Sequence, residues 1–428
     1  MDNTLDLFKP ITRDERQEIA RQTWIKNKCC GTMVMPTGFG KTWTAFKCIQ
    51  SVLNKYPHFR IIVVVPTETL QNQWQKEIDN RGLMFNMEVY VINTIIKHEW
   101  KCNILVIDEC HRYASTDFSK IFDKVDYKYI LGLTATFERL DGKEVIISKY
   151  CPVIDIITSE EALFNGWISK FVEYQVLIDV DDIDEYKEYN KEFTQHFEFF
   201  QFDFNLAMSM VGKNGYKYRL ALRDKLCGEN ASKQEKSNML KSITYHAMGF
   251  MQAIQKRKSF INNHPKKLEI ARRIIEARLD KKIITFSNNV KMAEDIGYGD
   301  VYTGKTSKKK GRITIDEFNK KESGVLCTCQ KANEGLDVTG LSVAIILGTD
   351  SSKIKSVQRR GRVIRFKEGK TAEIFNLVIN NTVETQWFAN AHKGEKYVTI
   401  DEANLDRVLN NDSFEEYKKP IQKLVFRF

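Results

Sequence analysis

Hydrophobic positions along this chain form two kinds of pattern. Short continuous runs rich in Val, Ile and Leu are bounded by polar turns, which is typical of buried strands. These runs lie at 31–35, 60–66, 103–109 and 129–136, and again at 281–287, 323–329, 342–348 and 371–378. Between the runs, apolar residues recur with helical spacing, as Ala45, Ile49 and Val52 do. This alternation predicts an α/β fold whose parallel sheets are covered by helices on both faces.

The strand pattern stops between about 182 and 262 and then resumes. We therefore predict two tandem parallel-sheet domains, 1–166 and 167–428, the second of which carries a mainly helical insertion at about 182–262. Within the insertion, the polar stretch 228–238 predicts a mobile loop. The apolar spacing from 239 to 254 predicts an amphipathic helix after that loop.

Charge and composition add constraints to this picture. The formal net charge of +10 favours a polyanion such as nucleic acid as a partner. No apolar run approaches the roughly 18 residues that a membrane helix needs, and residues 1–10 lack the pattern of a secretory signal. The nine cysteines include no C-x-x-C pair, which argues against a zinc site or a disulfide framework. We therefore expect a cytoplasmic location without membrane binding, in a host cell if the many Lys, Asn and Ile residues reflect a viral genome.

Two stretches are candidates for a phosphate-binding loop, G-x-x-x-x-G-K-[ST]. The stretch GDVYTGKT at 299–306 matches every position, whereas MPTGFGKT at 35–42 has Met35 in place of the first glycine. Such a loop needs a buried strand before it and a helix after it, because backbone N–H groups and the helix N-terminus bind the phosphates. Only 35–42 has both neighbours. At 299–306, which follows a predicted helix and precedes the basic run SKKKGR, we predict a short strand and a basic surface turn.

The loop at 35–42 is therefore the predicted nucleotide site. Gly38 and Gly40 allow backbone angles that other residues avoid. Lys41 would reach the terminal phosphates, and Thr42 would bind Mg²⁺ through its hydroxyl. We also include Thr37 among the residues that contact the nucleotide.

Paired carboxylates end the predicted strand at 103–109. Asp108 would hold Mg²⁺ through water, and Glu109 would orient or deprotonate the water that attacks the phosphate. An acidic pair after a strand can also merely cap the next helix. A phosphate loop on a neighbouring strand favours the catalytic interpretation.

The ordered set of motifs resembles that of superfamily 2 helicases. MPTGFGKT, DECH, LTAT (133–136) and QRRGRVIR (358–365) look like motifs I, II, III and VI. Weaker counterparts of motifs Ia, Ib, IV and V are VVVPTETLQNQW (63–74), VINT (91–94), IITFSNN (283–289) and CTCQKANEGLDV (327–338). The resemblance covers nearly the whole chain except about 182–262.

This resemblance implies two RecA-like domains with ATP and Mg²⁺ in the cleft between them and nucleic acid lying across both. It implies that Gln358, Arg362 and Arg365 reach the γ-phosphate from the second domain. Arginines from the opposite wall suit a transition state whose charge spreads over phosphoryl oxygens. Gly335 and Asp337 resemble the motif V residues near the nucleotide.

Three further positions each have two interpretations. Gln17 is the candidate for adenine recognition, or else a surface helix residue. Thr134 and Thr136 resemble the residues that couple hydrolysis to domain movement, or else they form a plain turn at the end of a strand.

Hydroxyls and lysines near the strand ends are the predicted nucleic-acid contacts, because such groups bind phosphates without reading sequence. The candidates are Thr67, Thr94, Ser287, Lys305 and Thr328. Trp74 could stack on a base, although a core tryptophan is the favoured interpretation. The phenylalanine cluster at 193–204 is either a strand-separating wedge or, as we favour, the core of the insertion.

The PTETLQNQW, DECH and glutamine-type motif VI sequences are more similar to the DNA repair and recombination branch than to DEAD-box RNA helicases. That branch includes the UvsW-like helicases of phages, XPB-like translocases and restriction-enzyme motors. The resemblance implies an ATP-dependent DNA helicase or translocase that acts on single-stranded, forked or branched DNA. An RNA helicase and a non-unwinding, ATP-switched motor subunit of a larger complex are the alternatives.

Overall fold

The computed structural model describes residues 11–115, 117–137, 142, 144–212, 214–329, 336, 338–349, 351–364 and 371–410. The strands are β1 (Cys30–Val34), β2 (Ile61–Val65), β3 (Met87–Val91), β4 (Trp100–Lys101), β5 (Ile104–Asp108), β6 (Val125–Asp126), β7 (Tyr129–Thr134), β8 (Val153–Ile156), β9 (Lys170–Ile178), β10 (Lys282–Ser287), β11 (Asp300–Tyr302), β12 (Gly324–Cys329), β13 (Val343–Ile346), β14 (Thr371–Ile379) and β15 (Val398–Ile400).

Helices connect these strands in both halves of the chain. They are α1 (Arg13–Lys26), α2 (Lys41–Leu53), α3 (Glu68–Asn80), α4 (Ile92–Ile95), α5 (Ile121–Lys124), α6 (Glu144–Tyr150), α7 (Ser159–Phe164), α8 (Ile183–Glu198), α9 (Phe204–Ser209), α10 (Gly215–Cys227), α11 (Lys233–Asn263), α12 (Pro265–Glu276), α13 (Val290–Asp295), α14 (Lys308–Lys320), α15 (Lys353–Val363), α16 (Val383–Ala391) and α17 (Glu402–Leu409). Short 3₁₀ turns lie at Cys110–Ala114 and Phe118–Lys120.

Two parallel sheets organise the molecule. The first has the order β3-β2-β5-β7-β1-β8 and the second the order β11-β12-β10-β13-β14-β9-β15. Parallel neighbours need crossover connections, which the helices supply. The predicted fold class, two parallel-sheet domains with helices, is confirmed. The predicted division after residue 166 falls between β8 and β9.

The insertion between β9 and α12 is helical, as predicted, and is built from α8 to α11. Phe250 lies at the centre of its core and has its ring centroid 5.2 Å from that of Phe193 and 5.3 Å from that of Phe197. The core interpretation of the phenylalanine cluster is therefore right for these rings. Phe202 and Phe204 are more than half exposed at the edge of the cluster.

One local prediction is wrong. The polar stretch 228–238 is not a loop throughout, because α11 already begins at Lys233. Ser232 and Glu235 form a reciprocal capping box there, with the Ser232 side chain accepting from the Glu235 N–H. At 299–306 the predicted short strand and surface turn are present, as β11 at Asp300–Tyr302 and a turn in which the Thr306 N–H donates to the carbonyl of Thr303 at 3.0 Å. The basic run beyond this turn begins α14, which Ser307 caps.

No helix within the described ranges has both the length and the apolar content to cross a bilayer. Cys327 and Cys329 are buried on β12 as reduced cysteines, and the Cys327 thiol donates to the carbonyl of Tyr298 at 3.2 Å. Among the described residues, no three His, Cys, Asp or Glu side chains cluster as metal ligands would.

Candidate nucleotide-binding site

The loop at 35–40 connects β1 to α2 at the carboxyl edge of the first sheet. Gly38 has a φ of +91° and Gly40 a φ of +103°, which are angles that favour glycine. A side chain at Gly40 would also place its Cβ 2.9 Å from Nε2 of Gln17. Lys41 and Thr42 begin α2, where the first N–H groups of a helix have no intrahelical partner and can bind an anion.

Met35, at the position where the phosphate-loop pattern has its first glycine, is a core residue. Met35 is fully buried, and its N–H donates to the carbonyl of Thr134 at 2.9 Å. Because this residue ends the buried strand and does not line the turn, glycine is not required. The exact pattern at 299–306 has no such setting, since its first glycine precedes the edge strand β11.

Gln17 lies against the loop. Its side chain is only 3% exposed, and its Nε2 donates to the carbonyl of Phe39 at 3.2 Å. Gln17 is therefore not a surface helix residue. Its amide supports the loop, and its role in adenine recognition stays a prediction.

The paired carboxylates lie at the end of β5. Oδ2 of Asp108 accepts a hydrogen bond from Nε1 of Trp74 at 2.9 Å, and Oδ1 accepts from the N–H of Glu109 at 2.9 Å. Burial, with a further contribution from the charge of Glu109, raises the pKa of Asp108 above its ordinary value. Nζ of Lys41 lies 3.9 Å from Oε1 of Glu109, so the phosphate loop and the carboxylates share one site.

The residues of this site fit ATP and Mg²⁺. β5 and β1 both flank β7, so Asp108 and the phosphate loop lie at the same sheet edge. The lysine supplies positive charge for the phosphates. The half-buried hydroxyl of Thr42 and the buried carboxylate of Asp108 are oxygen donors of the kinds that Mg²⁺ prefers. Thr42 and Asp108 would hold the ion, as the sequence predicts.

His111 connects the carboxylates to Thr134, a link that the sequence prediction missed. Nδ1 of His111 lies 3.5 Å from Oε2 of Glu109 and 2.8 Å from Oγ1 of Thr134. The Thr134 hydroxyl donates to the carbonyl of Thr136 at 2.6 Å and accepts from the Thr136 N–H at 3.2 Å. Since the Thr134 proton is engaged in that turn, His111 donates from Nδ1. Thr134 and Thr136 thus form a strand-end turn, and Thr134 also contacts the carboxylate site through His111.

Helix α15 of the second domain packs on the phosphate loop of the first. An ideal Cβ on Gly361 would lie 2.1 Å from Cβ of Thr37, so only glycine fits there. Gln358 is half-buried on the same helix, and an Nη1 hydrogen of Arg362 donates to the carbonyl of Leu336. Arg362 is therefore near the cleft but bound to the main chain. The predicted site residues Arg365, Gly335 and Asp337 lie outside the described residues.

The connection between the domains contacts both sides of this cleft. The Trp167 ring meets the buried Phe39 ring of the phosphate loop edge-on, with centroids 5.3 Å apart. Two residues later, the N–H of Ser169 donates to the carbonyl of Ile364, just after α15, at 2.9 Å.

Gly361→Ala should reduce ATP hydrolysis by roughly a hundredfold, since small displacements of a catalytic element have costs of that order. The added methyl group would force α15 away from Thr37. Steady-state hydrolysis and the thermal midpoint are the measurements. Gly212→Ala is the matched control, because the nearest atom to its Cβ would be 3.8 Å away. Equal activity of the two variants would show that this contact is not needed.

The predicted nucleic-acid contacts differ in accessibility. Thr67 caps α3 by accepting from the Leu70 N–H at 3.4 Å, and Thr94 and Lys305 are exposed. Ser287 is only 1% exposed, and the fully buried Thr328 donates its hydroxyl to the carbonyl of Thr285 at 2.6 Å. The hydroxyls of Ser287 and Thr328 are therefore not available to a phosphate in this arrangement, because both lie on inner, paired strands.

Trp74 is a core residue, as favoured from the sequence. It is 2% exposed, and its ring centroid lies 5.3 Å from that of Phe46 on α2. It therefore cannot stack on a base. Its hydrogen bond to Asp108 was not predicted, because 34 residues separate the two in the chain.

Comparisons with known proteins find relatives of both halves of this chain. The family model "Type III restriction enzyme, res subunit" matches residues 9–101 and 93–139, and the "Helicase conserved C-terminal domain" model matches 266–367. The DNA 3'-5' translocase XPB2 of Sulfurisphaera tokodaii is 27% identical over 409 residues, which cover 90% of this chain and 86% of that protein. The putative ATP-dependent RNA helicase QP509L of African swine fever virus is 31% identical over 164 residues, which cover 32% of this chain and 31% of that protein.

The structure of Dbp5 from S. cerevisiae bound to RNA and ADP BeF3 superposes with a TM-score of 0.57 at 12% identity, covering 92% of this chain and 91% of Dbp5. This likeness shows the RecA-like fold. The two family models and the translocase relative together support a helicase or translocase of superfamily 2. The first domain matches the restriction-enzyme res subunit model, and 90% of the chain is similar to the XPB2 translocase. A closer relation to UvsW-like helicases stays a prediction.

Proposed function

We propose that this chain is an ATP- and Mg²⁺-dependent DNA helicase or translocase that remodels or unwinds branched or duplex DNA in recombination, repair or replication, in the cytoplasm. The observation that carries this proposal is the packing of α15 on the phosphate loop, where Gly361 meets Thr37. Lys41 and Glu109 lie 3.9 Å apart within the same site. Residues of motifs I, II and VI thus meet around one cleft.

The residues of the cleft would divide the reaction among them. Backbone N–H groups of the loop bind phosphates, and Lys41 reaches the terminal ones. Glu109, between Lys41 and His111, orients or deprotonates the attacking water. Thr42 and Asp108 would hold Mg²⁺, which would neutralise phosphate charge. Arg362 exchanges its carbonyl partner for a phosphate oxygen when the cleft closes.

Hydrolysis would be coupled to movement through the turn at Thr134. His111 bonds that turn and also lies near Glu109, so a change at the carboxylate alters its contact with the turn. ATP closes the cleft and hydrolysis reopens it, so that each cycle steps the domains along a strand. Thr67, Thr94 and Lys305 are the accessible candidates for contacts with the strand.

DNA is favoured over RNA by the extent of the similarity. The relative named as a DNA translocase is matched over 86% of its length, whereas two relatives named as putative ATP-dependent RNA helicases, QP509L and MJ1505, are matched over 31% and 60% of theirs. The net charge of +10 suits either nucleic acid. An RNA helicase is therefore the second candidate, supported by those two partial matches.

An ATPase assay with a panel of DNA and RNA structures tests the proposal. We expect single-stranded, forked and Holliday-type DNA to stimulate hydrolysis more than RNA of matched sequence does, and stimulation to weaken as salt rises. Stronger stimulation by RNA would identify an RNA helicase. Strand displacement on the same forks separates a helicase from a non-unwinding motor subunit, which would hydrolyse ATP without displacing a strand.

A further inference from the structure

The indole of Trp74 makes a contact that the reaction scheme above does not use. Trp74 lies on α3 and is almost completely buried, and its Nε1 donates to Oδ2 of Asp108 at 2.9 Å. A hydrogen bond to a buried carboxylate is among the stronger kinds in proteins. This one joins helix α3 to the carboxylate that is proposed to hold Mg²⁺.

The bond fixes the orientation of the Asp108 carboxylate. One oxygen accepts from the indole and the other from the N–H of Glu109, so rotation of the carboxylate would break both bonds. The indole itself is held by packing against Phe46 on α2, the helix that begins at Lys41. Asp108 is therefore oriented by a rigid group that also contacts the helix of the phosphate loop.

The same helix begins at a candidate nucleic-acid contact. Thr67 caps α3, and Trp74 follows seven residues later, about 10 Å along the helix axis. A helix of this length moves as a unit, so a shift at its first turn reaches Trp74. Strand β2, which precedes α3, pairs with β5, which carries Asp108.

We propose that Trp74 is a positioning residue whose indole N–H orients Asp108 for Mg²⁺ and transmits binding of a nucleic-acid strand at the start of α3 to the ATP site. This inference rests on the proposed function. In this proposal, α3 moves when a strand binds at its first turn and so changes the position of the carboxylate that would hold Mg²⁺.

Trp74→Phe tests the proposal, because phenylalanine keeps an aromatic ring against Phe46 and lacks the N–H. We expect the dissociation constant of Mn²⁺, a paramagnetic substitute for Mg²⁺ measured by electron paramagnetic resonance with a non-hydrolysable ATP analogue, to rise roughly tenfold, the effect of losing one hydrogen bond to a charged group. The Mg²⁺ concentration for half-maximal hydrolysis should rise by the same factor. The ratio of hydrolysis with single-stranded DNA to hydrolysis without it should fall. Trp100→Phe is the matched control, because the Trp100 indole also donates, to the carbonyl of Ile95 at 3.1 Å, away from the site.

Unchanged Mg²⁺ dependence and DNA stimulation in a folded Trp74→Phe protein would overturn the proposal, as would equal changes in the Trp100→Phe control. If Trp74→Phe lowers the thermal midpoint, the same assays are made with benzothienylalanine at position 74, which has the shape of tryptophan without its N–H. A raised Mg²⁺ requirement and weaker DNA stimulation would again support the proposal, and unchanged values would overturn it. Failure of the proposed function would instead appear in the unmodified protein as an absence of stimulation by DNA.

Discussion

Glu109→Gln is expected to reduce DNA-stimulated ATP hydrolysis by about a thousandfold, within the range that a general base contributes. The amide keeps the size of the side chain but cannot take a proton from water. In the structure a Glu109 oxygen lies 3.9 Å from Nζ of Lys41 and the other lies 3.5 Å from Nδ1 of His111. The carboxylate is therefore held beside the position expected for the terminal phosphate. Steady-state hydrolysis with saturating single-stranded DNA is the measurement.

Binding of a fluorescent ATP analogue gives the control for this variant. Glu109→Gln should still bind the nucleotide, because the phosphate loop is unchanged. Lys41→Ala should lose hydrolysis and also weaken binding, since we propose that the lysine contacts the phosphates themselves. Full hydrolysis in either folded variant would contradict the assigned roles.

Arg362→Ala is expected to lower turnover by about a thousandfold while ATP binding is kept, as removal of an arginine finger does in other phosphoryl-transfer enzymes. The side chain lies on α15, next to the Gly361 contact with Thr37, and its present partner is the carbonyl of Leu336. An arginine that changes partner on closure contributes to the transition state more than to ground-state binding. Single-turnover hydrolysis and nucleotide binding are measured in parallel.

Arg407→Ala on the exposed face of α17 is the control for loss of a positive charge in the same domain. It should leave turnover unchanged. If Arg362→Ala lost ATP binding while both domains stayed folded, Arg362 would be a binding residue and not a finger.

The architecture could be predicted from the sequence because both faces of each inner strand are covered. β2 and β5 are buried at every position, and such strands appear as continuous apolar runs. The start of α11 was missed because the stretch 228–238 has the composition of a loop. The reciprocal pair Ser232 and Glu235 is the local signal that identifies the helix start.

The phosphate loop was predicted from its context, which outweighed the better pattern match at 299–306. Burial of Ser287 and Thr328 was not predictable, because a continuous apolar run does not reveal how deeply its polar members lie. The contacts of Trp74 with Asp108 and of Gly361 with Thr37 join residues far apart in the chain. Sequence spacing carries no information about such contacts.

The passage from the first domain to the second has a mechanical consequence. The Trp167 ring contacts the predicted nucleotide loop at Phe39, and the N–H of Ser169 is bonded to the carbonyl of Ile364, the residue that follows α15. Only one residue separates Trp167 from Ser169 in the chain, so this part of the connection between the domains cannot lengthen when the domains move. Rotation of one domain would therefore displace the predicted nucleotide loop and helix α15 together. The interdomain connection would in this way couple domain movement to both halves of the ATP site at once.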